Sequence, residues 1–338
     1  MNKESFKVAA VQAMPVFLDR EATVDKACAL IAEAGRNGAR LAVFPEGFIP
    51  VYPDWIWAVP AGVSSVLADL YAELLENAVE VPSPATRRLC EAARDAGVFV
   101  AMGMSERNVE ASGSSLYNTL LYISDQGEIM GKHRKLVPTG GERLVWAPGD
   151  GSTLDVYDTP LGRLGGLICW ENYMPLARYA MYAWGTQIYI AATWATGEAW
   201  LSTVRHIARE GRVYVISCCM PMRKSDIPER FGLAKQYYGH IDDWINRGES
   251  VIVDPNGKIL AGPVNEREEI LYAEVDPRLM SGTKWLLDVA GHYARPDVFS
   301  LTVNKEARPM LRVRERDRAA GEDGDGDGRG MENHTKGI

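Results

Sequence analysis

The stretch Gly165-Gly166-Leu167-Ile168-Cys169-Trp170-Glu171-Asn172-Tyr173-Met174-Pro175-Leu176 holds the junction on which the chain is best read. The run Arg163–Ile168 has the continuous apolar character of a buried strand, and Pro175–Met181 that of the opening turns of a helix. Cys169 stands between them. A turn from strand to helix lifts its central side chain above the sheet, the arrangement used by nucleophilic hydrolases. The N-terminal end of the following helix favours negative charge and is expected to lower the thiol pKa. A free cysteine is also a common small core residue, so its role depends on what the rest of the chain brings to it.

Outward from this junction, strands and helices alternate. Val8–Gln12 reads as a strand. Residues 22–37 carry Val24, Ala27, Cys28, Ile31 and Ala34 at helical spacing, and Leu41–Phe44 is a second apolar strand. Ser83 and Pro84 have the composition of an N-cap and first helical position. That helix is expected to stop at Gly97, before the strand Val98–Met102. Two later segments look alike: Leu121–Ile129 and Ile252–Leu260 each place an Asp-x-x-Gly turn between apolar runs, a hairpin pattern. The two halves therefore look like a weak duplication. The expected fold class is α/β: two mixed sheets face to face with helices outside, a four-layer αββα sandwich.

The chain has 338 residues, 46% of them hydrophobic, enough for a sizeable core in one domain. Its formal charge of −8 argues against nucleic acid or an anionic membrane as the main partner. The five cysteines, Cys28, Cys90, Cys169, Cys218 and Cys219, are odd in number and lack a C-x-x-C pair. That argues against a disulfide framework and a structural zinc site, and fits reduced thiols in a cytoplasmic enzyme. The polar N-terminus has no signal-peptide pattern, and no apolar run is long enough to span a bilayer. One domain is expected over residues 1–313. From 314 to 338 the composition is charged and Gly-rich, that of a disordered tail. Asp323, Asp325 and Asp327 imitate the start of a calcium loop, but the twelfth position is His334 and no helix follows.

Three segments carry chemistry. Phe44-Pro45-Glu46 puts a carboxylate just after a strand, Lys132–Lys135 puts cations after the first hairpin, and Cys169 follows the strand at 163–168. Side chains at the carboxyl ends of strands can meet in one pocket. Glu46 could then take the thiol proton, while Lys135 and the Trp170 backbone N–H stabilise the charge that develops on an attacked electrophile. By position alone Glu142 reads as a loop charge and Lys135 as part of a solvated basic run. His133 and His292 have no distinctive setting for a Cys-His dyad. Of Tyr52, Trp55, Trp57, Trp146, Trp194 and Trp200, the best candidates for pocket walls are Tyr52 and Trp194, each shortly after a strand end.

Together, Phe44-Pro45-Glu46, His133-Arg134-Lys135-Leu136-Val137-Pro138-Thr139 and Cys169-Trp170-Glu171-Asn172-Tyr173-Met174-Pro175-Leu176 resemble the signature segments of the nitrilase superfamily of carbon–nitrogen hydrolases. The resemblance runs from about Phe6 to about Leu301. Cys-Trp-Glu resembles the nitrilase branch, whereas amidase and carbamoylase branches usually carry Cys-Tyr-Asp or Cys-Asn-Asp. The resemblance implies the αββα sandwich and a Glu46, Lys135, Cys169 triad with Glu142 as a second glutamate. It also implies nitrile hydrolysis without metal or organic cofactor, and homodimers that extend into spirals. Tyr179–Trp184 is a candidate stripe for a two-fold contact. Gly140 and Gly141 depart from the bulkier residues usual in that loop, and are expected to widen the pocket or loosen the loop. An amidase or carbamoylase, or a catalytically silent binding protein, are the rival readings.

Overall fold

The computed structural model describes residues 4–311; the acidic segment expected to form a tail lies outside them. The chain runs β1 (Phe6–Gln12), α1 (Arg20–Arg36), β2 (Ala39–Val43), α2 (Trp55–Ala58), α3 (Ser64–Asn77), α4 (Pro84–Ala96), β3 (Phe99–Asn108), β4 (Ser115–Ile123), β5 (Ile129–Arg134), β6 (Val156–Thr159), β7 (Gly162–Gly166), α5 (Pro175–Ala183), β8 (Ile188–Thr193), α6 (Glu198–Gly211), β9 (Tyr214–Cys219), β10 (Pro221–Arg223), α7 (Gly232–Lys235), β11 (Trp244–Val253), β12 (Ile259–Asn265), β13 (Glu269–Val275) and α8 (Pro277–Gly282).

Local chemistry sets several of these boundaries. The Ser83 hydroxyl accepts from the Thr86 amide at the start of α4, Pro84 takes the first helical position, and Gly97 ends the helix at φ 64°. Asp19 caps α1 by accepting from the Ala22 amide. The expected strand at 163–168 ends earlier, at Gly166, because the Ile168 amide leaves the ladder and donates to the Glu171 carboxylate.

One sheet has the order β13-β1-β2-β3-β4-β5, and the other β10-β11-β9-β8-β7-β6 with β12 on β11. In the first, β1, β2 and β3 are parallel, and β4–β5 returns as an antiparallel hairpin. In the second, β7, β8 and β9 are parallel and β11–β12 is the hairpin. An antiparallel strand borders each set, β13 beside β1 and β6 beside β7. The duplication legible in the hairpin motifs is thus a repeat of topology.

The layers follow from where the apolar side chains go. Val8, Val43, Ala101 and Leu120 of the first sheet pack against Ile188, Ile190, Ile216 and Ile252 of the second. Ile31 of α1 and Leu89 of α4 cover the outer face of the first sheet, with Val100 and Leu121. Met181 of α5 and Val204 of α6 cover the outer face of the second, with Tyr189 and Val215. Both faces of each sheet are buried, which explains why the central strands read as nearly continuous apolar runs. A further cluster, including Tyr52, Trp55, Trp146, Met220 and Tyr238, packs the loops together. No helix among the described residues is long and apolar enough to cross a membrane.

Candidate active site

Glu46, Lys135 and Cys169 come to one place from both sheets. Glu46 follows β2, and its loop runs tightly over β3: a Cβ on Gly103 would overlap the Pro45 carbonyl, so only glycine lets the loop pass. Lys135 follows β5. Its amide donates to the Asn118 carbonyl at 2.8 Å and its carbonyl accepts from Gly149 at 2.8 Å, so both sides of the residue are fixed. Cys169 follows β7 and opens a 3₁₀ turn over Cys169–Tyr173. Its φ of 52° is left-handed. For a non-glycine residue this conformation stores roughly 1–3 kcal/mol of strain, a pattern found at functional sites.

The three side chains are almost wholly buried. The Lys135 ammonium donates to Glu46 Oε1 at 2.8 Å and to Glu142 Oε2 at 2.7 Å. Asn118 Nδ2 also donates to Glu46 Oε1, at 2.7 Å. Glu46 Oε2 has no partner among the described residues despite full burial. Glu142 is engaged on every side: Oε1 accepts from the Tyr52 hydroxyl at 2.8 Å, and Oε2 accepts from both Lys135 and the Thr139 amide. It therefore acts as a fixed anchor for the lysine, and Glu46 is the carboxylate with an oxygen to spare.

Electrostatics separate the roles further. Burial raises the Glu46 carboxyl above its ordinary value, and the Lys135 charge only partly opposes this. Burial would lower the Lys135 pKa, but the charges of Glu46, Cys169 and Glu142 reverse the effect and keep it a cation. The thiol departs from the sequence expectation. Burial and the Glu46 charge push Cys169 up to about 12, and Lys135 only partly offsets them. α5 begins six residues further on, at Pro175, so the helix N-terminus does not hold the sulfur as a resting thiolate. The Thr193 hydroxyl at the end of β8 donates to the sulfur at 3.3 Å. These surroundings favour the neutral thiol and raise the basicity of the Glu46 carboxylate near it.

The aromatic candidates divide. Tyr52 and Trp194 stack on each other, with centroids 4.4 Å apart and planes 7° from parallel, and Tyr52 also meets Trp146 edge-on. Trp57 joins them by donating its indole N–H to the Tyr52 oxygen at 3.2 Å. Trp55 packs edge-on against Phe17, and Trp200 lies with α6 on the outer face of the second sheet, its indole bound to Ser217. Trp170 is exposed and packs edge-on against Tyr173. Gly140 and Gly141 do not widen the site: the Trp57 ring occupies their space, and a Cβ on Gly140 would lie 2.9 Å from it. The missing side chains are replaced by one from α2.

Residues that sequence reading passed over complete the picture. Asn118 and Thr193 hold the Glu46 carboxylate and the Cys169 sulfur. Thr193 is the one polar hydroxyl at the end of the run Ile188–Ala192, apolar but for the Tyr189 phenol, a signal that was present, whereas Asn118 stands beside Thr119 in a strand of mixed composition. Asp54 is buried beside Tyr238 and Trp194; burial raises its carboxyl to about 6, against hydrogen bonds from both. His133 is buried, with Nε2 2.9 Å from Glu171 Oε2, and forms no dyad with the thiol. His292 lies at the exposed C-terminal face beside Tyr293.

A buried Glu, Lys and Cys at the strand ends of a four-layer sandwich define a thiol hydrolase. Residues 7–284 match the model of the carbon–nitrogen hydrolase family, and the chain belongs to that family. Within it the chain lies in the nitrilase branch: it is 44% identical over 305 residues to the aliphatic nitrilase of Sinorhizobium fredii (strain HH103), covering 90% of this chain and 97% of the other. It is 42% identical over 305 residues to the bifunctional nitrilase/nitrile hydratase NIT4B of Nicotiana tabacum, covering 89% and 86%. The fold is similar to that of Saccharomyces cerevisiae Nit3, with a TM-score of 0.68, 24% identity and coverage of 86% and 97%.

Proposed function

We propose that the protein hydrolyses an organic nitrile to its carboxylic acid and ammonia through a covalent bond to Cys169. The observation that carries this reading is the unpartnered, buried Oε2 of Glu46, whose other oxygen is held by Lys135 and Asn118. Glu46 takes the thiol proton as sulfur adds to the nitrile carbon, and returns it to nitrogen, giving a thioimidate. Lys135 and the Trp170 backbone N–H stabilise the charge developing on nitrogen. Water adds with Glu46 as base, ammonia departs, and a thioester remains. A second water releases the acid and restores the thiol.

The stacked Tyr52 and Trp194 support an aliphatic nitrile or an arylacetonitrile as substrate, held against an aromatic wall. A panel of aliphatic, aromatic and arylacetonitriles, with ammonia, acid and amide all measured, tests the reading. Turnover of amides alone would favour the amidase or carbamoylase alternative, and retained turnover in Cys169→Ala would overturn the mechanism. Amide beside acid would mean that the tetrahedral intermediate also expels the thiolate. The name of the tobacco relative gives that outcome a specific reason to be measured.

The partners we propose are copies of the same chain, forming a homodimer that extends to a larger assembly. α5 supports this, because Leu176, Tyr179 and Trp184 line a cavity of about 1050 Å³ with Tyr293 and Phe299, and several of these apolar side chains are exposed. Size measurement of the full chain tests it. Cytoplasmic location, with the residues 314–338 as a tail outside the single domain 1–313, completes the proposal. The five free cysteines support the location.

A further inference from the structure

Glu171 belongs to no step of the reaction, yet it touches the backbone on both sides of the site. Its carboxylate is fully buried. Oε1 accepts from the Leu136 amide at 2.5 Å, and Oε2 from the Ile168 amide at 2.8 Å. Leu136 directly follows Lys135, and Ile168 directly precedes Cys169. The two amides belong to opposite sheets, one beyond β5 and one beyond β7. His133, two residues before the lysine, closes the arrangement with Nε2 at 2.9 and 3.2 Å from the two oxygens. Burial alone would raise the Glu171 carboxyl, but the His133 charge and hydrogen bond, then the two amides, hold it below its ordinary value. An ionised carboxylate only accepts, so His133 Nε2 carries the proton between them.

We propose that Glu171 is a positioning residue: it fixes the distance between the Lys135 ammonium and the Cys169 sulfur across the seam of the two sheets. This rests on the reading of those two groups as the catalytic pair. A carboxylate can do this because it accepts from two amides and a histidine at once; an amide side chain has one acceptor oxygen and would set its NH₂ against a backbone N–H. An aspartate keeps the charge but is one methylene too short to reach both segments.

The test compares Glu171→Gln, Glu171→Asp and His133→Phe with the parent enzyme. Two quantities are read: nitrile turnover per Cys169 titrated by alkylation, and the rate at which iodoacetamide alkylates Cys169. A purely structural role would lower the yield or melting temperature but leave kcat per titrated thiol unchanged. The positioning role lowers kcat per thiol by about 10²-fold in the Glu171 variants, with KM within about twofold. His133→Phe keeps both amide bonds and is expected to lose less, about threefold to tenfold. Unchanged kcat per thiol in every soluble variant overturns the proposal. If the parent enzyme turns over no nitrile, alkylation decides alone: a slower rate in the variants upholds the positioning role while the nitrile reading falls, and an unchanged rate rejects it.

Discussion

Glu46 and Lys135 meet through a single carboxylate oxygen, 2.8 Å from the ammonium, while the other oxygen of Glu46 has no partner among the described residues. A buried carboxylate left half bound is costly as structure, and that cost is explained if the free oxygen receives a proton. The lysine keeps Glu46 oriented, and in the proposed reaction it also supplies the positive charge.

Removing the cation leaves Glu46 and Glu142 facing each other without it. Lys135→Ala is expected to lower kcat/KM by about 10²–10³-fold or more. It should also destabilise the fold by about 3 kcal/mol, because two buried charges lose their partner. Steady-state kinetics and denaturant unfolding measure the two effects separately.

The raised Glu46 carboxyl sets a direction for the pH profile. The base must be ionised, so kcat/KM is expected to fall on acidification before the ordinary carboxylate value of 4.5 is reached. Lys135 is raised and the Cys169 thiol lies at about 12, so neither produces an alkaline limb near neutrality. Glu46→Gln should abolish turnover at every pH. An acid limb at or below 4.5, or an alkaline limb near neutrality, would count against this assignment.

Trp57 and Gly140 share one space. Trp57→Ala opens it and is expected to shift relative kcat/KM toward bulkier nitriles. Trp57→Phe keeps the ring but drops the donor to Tyr52, and should cost only about twofold to fivefold in rate. Gly140→Ala meets both the ring and a φ of 49°, so a loss of about 1 kcal/mol or more in stability is expected. Kinetics across a size series of nitriles, with melting curves, separate pocket shape from folding.

Away from the thiol, Glu106 is a buried anion shared by Arg134, Lys132 and the Thr119 hydroxyl. Burial alone would raise its carboxyl; the Arg134 hydrogen bond and charge, then Lys132, bring it below 4.5. Its contribution to stability is complete above that unfolded value and is lost as pH falls through the lower folded one. Glu106→Gln is expected to destabilise by about 3 kcal/mol at neutral pH, with a smaller difference from the parent in acid. Urea unfolding at two pH values checks both.

Much of this was legible in the order of residues. The apolar runs of β1, β2, β7 and β8, the Ser83-Pro84 cap and the two Asp-x-x-Gly turns depend on local chemistry, which the sequence carries directly. So does the ordering of Glu46, Lys135 and Cys169 at strand ends. The state of the thiol was not legible, because it depends on burial and on Glu46, whose position comes from another sheet. The filling of Gly140–Gly141 by Trp57 was hidden for the same reason: the residues are more than eighty positions apart and meet only in the fold. Glu171 could be noticed as a marker beside the cysteine, but its reach to Leu136 required both sheets to be in place.

The topology has a consequence for how the molecule can be divided. A cut after Glu142 and before β6 leaves Glu46, Lys135 and Glu142 on one fragment and Cys169 on the other. The second fragment also carries β13, which completes the first sheet by pairing with β1 from Phe6 to Gln12. The fragments would interlock as well as abut, and neither would hold a working site. Recovered turnover on mixing them would then be a direct signal that the two halves had found each other, making the enzyme a self-reporting complementation pair.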